Sequence, residues 1–121
     1  MPRTSRFDVV FNALGTQWLA HFSHRHDSKG LPYEFRDRND RPITTKVKHV
    51  TTCTLSNLLQ NNPFTVEGEA FCSMKDQYDW KKGIKGALVR TLENMGYPSG
   101  HPNHGQMLNS FFKEVSNRET P

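Results

Sequence analysis

Six histidines and two cysteines are the side chains of this 121-residue chain best suited to hold a metal or to act as nucleophiles. Three histidines fall in the run His21-Phe22-Ser23-His24-Arg25-His26-Asp27. Alternate residues of an extended backbone share a face, so His24 and His26 project together as half of a zinc site that His49, His101 or His104 would complete. Two features count against it: no CxxC accompanies the histidines, and Arg25 places a positive charge between the two ligands. Histidines at a wet strand end are the expectation, with no metal and no cofactor. Cys53 and Cys72 each lie in a strand-like run, and neighbouring strands would bring them close. The N-terminal residues include no apolar leader segment, so a reducing, cytoplasmic setting and two small buried thiols are expected. Cys72 with a histidine forms no recognisable set, because no third orienting group is indicated. Glu67 and Glu69 share a strand face without a partner acid or base, and neither a Walker sequence nor GxSxG is present. The chain reads as a non-enzyme.

Charge is the second signal. The formal net charge is +4. Residues 1–60 hold 9 basic and 5 acidic side chains, whereas residues 61–121 hold 7 of each, so the excess lies wholly in the first half. Arg36, Arg38, Arg41, Lys46 and Lys48 carry much of it, interrupted by Asp37 and Asp40. Such a surface attracts nucleic acid or an acidic protein, or simply solvates a loop. No stretch approaches 18 consecutive apolar residues, so no membrane helix is expected.

The elements that would position these groups follow from periodicity. Phe7, Val9, Phe11 and Ala13 alternate with more polar neighbours as in a strand with one buried face, Leu14-Gly15-Thr16 is a turn, and Gln17 to His24 returns. Residues 27–45 collect Gly, Pro, Asp, Asn and Arg and read as a long basic loop. Lys46 to Leu55 and Phe64 to Phe71 are further strands, joined by a short connection over 56–63. In the last strand Thr65, Glu67, Glu69 and Phe71 share one face, and Gly68 marks a bulge or a close backbone approach. Asp76 and Asp79 form a capping-box variant, opening a helix from about Gln77 to Met95 that Gly96 and Pro98 close. Its stripe Trp80, Ile84, Ala87, Leu88, Thr91, Leu92 and Met95 packs on the sheet. A second helix spans Gln106 to Val115, and 116–121 fray. Strands followed by helices predict one α+β domain over 1–121, an antiparallel sheet of about four strands with two helices on one face.

The first helix contains Gly83 and Gly86, each costing about 1 kcal/mol relative to Ala in a helix interior. On a helical wheel both lie off the apolar stripe, flanking Arg90 with Lys82 and Lys85 nearby. That arrangement admits a partner backbone or phosphate close to a basic face; alternatively Gly83 lets another element of the same fold pack tightly. Gly83-Ile84-Lys85-Gly86 matches the GXXG of KH modules in spacing only, because a strand rather than a helix precedes it.

Gly68-Glu69-Ala70-Phe71-Cys72-Ser73-Met74-Lys75-Asp76-Gln77-Tyr78, followed by Lys82-Gly83 and Ala87-Leu88-Val89-Arg90-Thr91-Leu92, resembles a strand–helix segment of small bacteriophage accessory proteins. The likeness covers about a fifth of the chain. Ile84 stands where those segments often carry Arg, and Gly86 where they carry an aliphatic residue. The resemblance implies a small, non-enzymatic viral protein in the cytoplasm of an infected bacterium. It would bind and inhibit a host protein such as a nucleic-acid-processing or defence enzyme; the basic residues themselves suggest direct nucleic-acid binding as the alternative. The contact residues expected are Arg36, Arg38, Arg41, Lys46, Lys48, Lys82, Lys85 and Arg90.

Overall fold

The computed structural model describes residues 3–59, 65–74 and 77–119. Strands β1 (Arg3–Ala13), β2 (Thr16–Arg36), β3 (Pro42–Asn57) and β4 (Thr65–Ser73) precede helices α1 (Trp80–Asn94) and α2 (Pro102–Glu119). The strands form one antiparallel sheet in the order β1-β2-β3-β4, with both helices against it. This is the expected α+β architecture.

The β1–β2 turn is a two-residue loop in which Leu14 (φ 54°) and Gly15 (φ 72°) are both left-handed, the geometry that matches strand twist in tight hairpins. Val9, Phe11, Ala20, Phe22, Cys53 and Leu55 then line one sheet face. Ile84, Ala87, Leu88 and Leu92 of α1 and Met107, Phe111 and Val115 of α2 close over it. Phe111 packs edge-on to Phe11 at 5.7 Å and lies 5.5 Å from Phe22, seating α2 on β1 and β2. Trp80, expected in the stripe, is 42% exposed and meets Phe7 edge to face.

Three sequence expectations are corrected. Residues 27–45 are not a long loop: most of them extend β2 and β3 into a two-stranded arm, paired from Leu31↔Val47 to Arg36↔Pro42. Pro32 is tolerated because a ribbon strand has one unpaired edge for a residue lacking N–H, and Pro42 begins its strand. Four residues, 27–30, oppose Lys48 alone, a bulge that re-aims the arm. The helix cap is Asp79, not Asp76; its carboxylate accepts from Lys81 N (3.0 Å) and Lys82 N (3.5 Å). Asp76, Phe64, residues 60–63 and residues 120–121 lie outside the described residues. Helix α2 starts four residues early and continues to Glu119, so 116–119 belong to the helix. Pro102 suits the first helical position, and His101 Nδ1 accepts from Asn103 N at 3.0 Å as a cap. Gly96 behaves as read: at φ 96° it donates to Glu93 O, while Tyr97 N donates to Leu92 O at 2.7 Å.

Candidate binding groove

His24, His26 and His49 do meet on β2 and β3, but as a stack: His26 lies over His49 at 4.3 Å, His49 over Tyr78 at 3.9 Å, and His24 over Tyr78 at 4.8 Å. His24 Nε2 and His49 Nδ1 share a hydrogen bond of 2.9 Å. That hydrogen bond occupies one nitrogen of each ring. Among the described residues no group of three metal-ligating side chains converges. Burial first, then the neighbouring His26, His24 and Lys48, lowers the His49 pKa to about 4. His24 shifts down for the same leading reason. His101 and His104 are spent elsewhere, as the α2 cap and in a contact with Tyr97 O. His21 pairs with Asp8 across β1 and β2.

The strand register holds the thiols apart: Cys53 lies opposite Gly68 and Cys72 opposite His49, and no disulfide joins them. Cys53 is fully buried, and burial pushes its thiol up to about 12, leaving no thiolate to attack at neutral pH.

All eight basic residues nominated from the sequence reach water; seven are exposed and Lys48 is partly covered. They do not form one face. Arg36, Arg38 and Arg41 sit around the arm tip, where Asp37 Oδ1 accepts from Asn39 N and Arg41 N, both at 2.9 Å. Arg36 is held to Asp40 O at 2.9 Å. Lys46 lies along Gly30 on the arm, whereas Lys82 and Lys85 are in the first two turns of α1. Gly83 does let another element pack tightly, since a Cβ there would come within 2.9 Å of Thr51 Oγ1, and Gly86 is close-packed too, a Cβ there meeting Ala70 Cβ at 3.1 Å. Both pack against strands, and Gly86 also lines the groove along β4. Helix α1 crosses β3 and β4 so closely that the wheel position beside the apolar stripe is partly covered too.

What the fold does bring together is a groove of about 660 Å³ along β4. One wall is the arm segment Tyr33–Arg36, the floor is Glu67–Phe71, and the other wall is Gly86, Arg90 and Asn94 of α1. The bulge explains the arm wall: after it, Leu31 and Val47 join Val50 in a small second core on the face opposite the helices, with Tyr33 packed on it. Tyr33 and Phe71 rings lie 4.8 Å apart, and Phe35 stacks 5.8 Å from Phe71. Phe71 remains 46% exposed, a large aromatic held open on an outer strand. Burial, with Glu69 next, raises the Tyr33 pKa, so its phenol keeps its proton as a donor. Arg90 reaches Glu93 at 3.7 Å and Arg25 reaches Glu69 at 3.7 Å, both solvent-exposed pairs of small energetic weight.

Only Arg36 and Arg90 of the nominated residues line this groove. Tyr33, Phe35 and Phe71 were missed as site residues, although each carried a signal. Leu31, Tyr33 and Phe35 alternate with Pro32 and Glu34, and Phe71 shares the glutamate face of its strand. Comparison of the chain with protein-family models, curated proteins and solved structures finds no match.

Proposed function

We propose that this protein is a non-catalytic binding module that seats a segment of a partner protein in the β4 groove. The observation carrying this reading is the aromatic cluster of exposed Phe71 with half-buried Tyr33 and Phe35 beside an outer strand, walled by the arm and α1. Rigid aromatics around a concave surface are the usual anchors of protein recognition. Groove charge favours protein over a phosphate backbone, because Glu34, Glu67 and Glu69 outnumber Arg36 and Arg90 there. With the resemblance to bacteriophage accessory proteins, the partner class is a host protein, whose activity the bound module would inhibit.

A second reading rests on the arm tip. Arg36, Arg38 and Arg41 are exposed on a two-stranded ribbon, an element that other proteins place in nucleic-acid grooves. One experiment separates the two. A photo-crosslinking amino acid at Phe71, and in a separate variant at Lys113 on α2, is exposed to bacterial lysate containing nucleic acid. The expected result is a discrete protein adduct from position 71 that Lys113 does not reproduce and Tyr33→Ala with Phe35→Ala diminishes. Equal adducts at both positions, or nucleic-acid adducts that fade steeply with salt, overturn the groove reading.

A further inference from the structure

Strands β1 and β4 are the outer members of the sheet, and among the described residues β4 has no strand on its far side. An outer strand turns the N–H and C=O of alternate residues away from the sheet. Which set faces outward is fixed by one contact: Asn94 Nδ2 on α1 donates to Glu67 O at 2.7 Å. The odd-numbered residues therefore direct their backbone groups into the groove. Asn94 covers one of these carbonyls, and Glu69 and Phe71 offer theirs at the groove floor.

Resting on the docking reading above, we infer that the groove takes its partner by strand addition, and that the occupant is an extended, lysine- or arginine-containing peptide segment. The backbone of the segment pairs with Glu69 and Phe71, and Asn94 ends the pairing. Side chains directly opposite on neighbouring strands share a face. The segment's outward residues thus stand beside Glu67, Glu69 and Phe71, where two cations and one apolar group are complementary, the cation at Glu69 competing with the loose, solvent-exposed Arg25 pair at 3.7 Å. Its inward residues meet Gly68 and Ala70 beneath α1, which leaves room for small side chains only. In the antiparallel sense the segment reads apolar-x-Lys/Arg-x-Lys/Arg, where x is small.

The same charges disfavour a second copy as the occupant. Antiparallel pairing of two β4 edges centred on Glu67, Gly68 or Glu69 sets glutamate directly against glutamate, a destabilising arrangement.

The test uses the whole chain, labelled with ¹⁵N, and synthetic peptides. The probe Gly-Ser-Phe-Ser-Lys-Ser-Lys-Ser-Gly is expected to shift the amides of 33–36 and 67–71. Replacing both lysines with glutamates should weaken it about tenfold or more. Methylating the backbone nitrogen of the first lysine, which faces Glu69, should abolish binding, whereas methylating the preceding serine nitrogen should not. On the protein, Glu69→Pro removes an outward N–H without touching the β3 ladder and should also abolish binding. Glu69→Gln keeps the N–H and should cost only a few-fold. Binding that ignores both backbone methylation and Glu69→Pro overturns strand addition while leaving the groove as the docking surface. Equal affinity for the glutamate probe overturns the basic occupant. Self-association in sedimentation velocity that Glu69→Pro dissolves makes the occupant a second copy and overturns it as well. Failure of every probe to shift these amides at millimolar concentration overturns the inference alone, because the crosslinking result judges the groove independently.

Discussion

Replacing Gly68 with Ala should be the most costly single-methyl change in this fold. A Cβ there would lie 2.4 Å from Thr91 N, 2.7 Å from Thr91 Oγ1 and 2.8 Å from Arg90 C. Two of those atoms are helix backbone, so no side-chain rotation relieves the clash and α1 must lift from β4. Overpacking of this kind costs about 1–3 kcal/mol. Lifting also stretches the Thr91 Oγ1 to Cys53 O hydrogen bond, now 3.3 Å, which is worth about 1 kcal/mol more. A total of about 3 kcal/mol, at an m value of about 1.5 kcal/mol/M, lowers the urea midpoint by about 2 M. Gly83→Ala and Gly86→Ala are the controls. Their new methyls meet a rotatable Thr51 hydroxyl at 2.9 Å and the Ala70 methyl at 3.1 Å. Each also gains about 1 kcal/mol of helix propensity, so both should stay within about 1 kcal/mol of the parent. Urea titrations followed by circular dichroism measure all three. Gly68→Ala within about 0.5 kcal/mol of the parent, or equal losses at all three positions, would refute the close helix–sheet contact that forms one wall of the groove.

The histidine stack makes stability depend on pH in a defined direction. His49 titrates near 4 in the fold against about 6.5 unfolded, so the folded chain binds fewer protons. Its contribution is complete above pH 6.5 and is lost as pH falls toward 4. The full shift corresponds to about 3 kcal/mol, which solvent at the rim of the stack screens to about 1–2 kcal/mol. Unfolding titrations at pH 7.5 and 4.5 should show that loss, and His49→Gln should flatten it; stability rising on acidification would contradict the assignment. Thiol reactivity should split as burial does. Half-buried Cys72 should react with an aromatic disulfide reagent in the native protein, while Cys53, with its pKa near 12, should wait for global unfolding. Simultaneous modification of both thiols in native buffer would show the core placement of Cys53 to be wrong.

Local patterns in the sequence determined the elements and their buried faces. Period-two alternation in Phe7–Ala13 and the stripe from Ile84 to Leu92 both survive in the fold, because each depends on a single element burying one side. Gly96 was legible for the same reason: its left-handed cap is set by neighbours in the chain. The arm was not legible. Gly30, Pro32 and Pro42 carry loop chemistry, and only pairing along an exposed ribbon reveals that their positions tolerate it. Gly83 and Gly86 show the limit of a helical wheel, which places residues around an axis but does not say how deeply the helix sinks between strands. The groove belongs to tertiary structure alone. Tyr33, Phe71 and Arg90 come from three elements, and it is the bulge after His26 and the close seat of α1 over Gly68 that bring them to one place. Charge and aromatic content were present in the sequence from the start; whether they face each other is a question of register and distance, which composition does not encode.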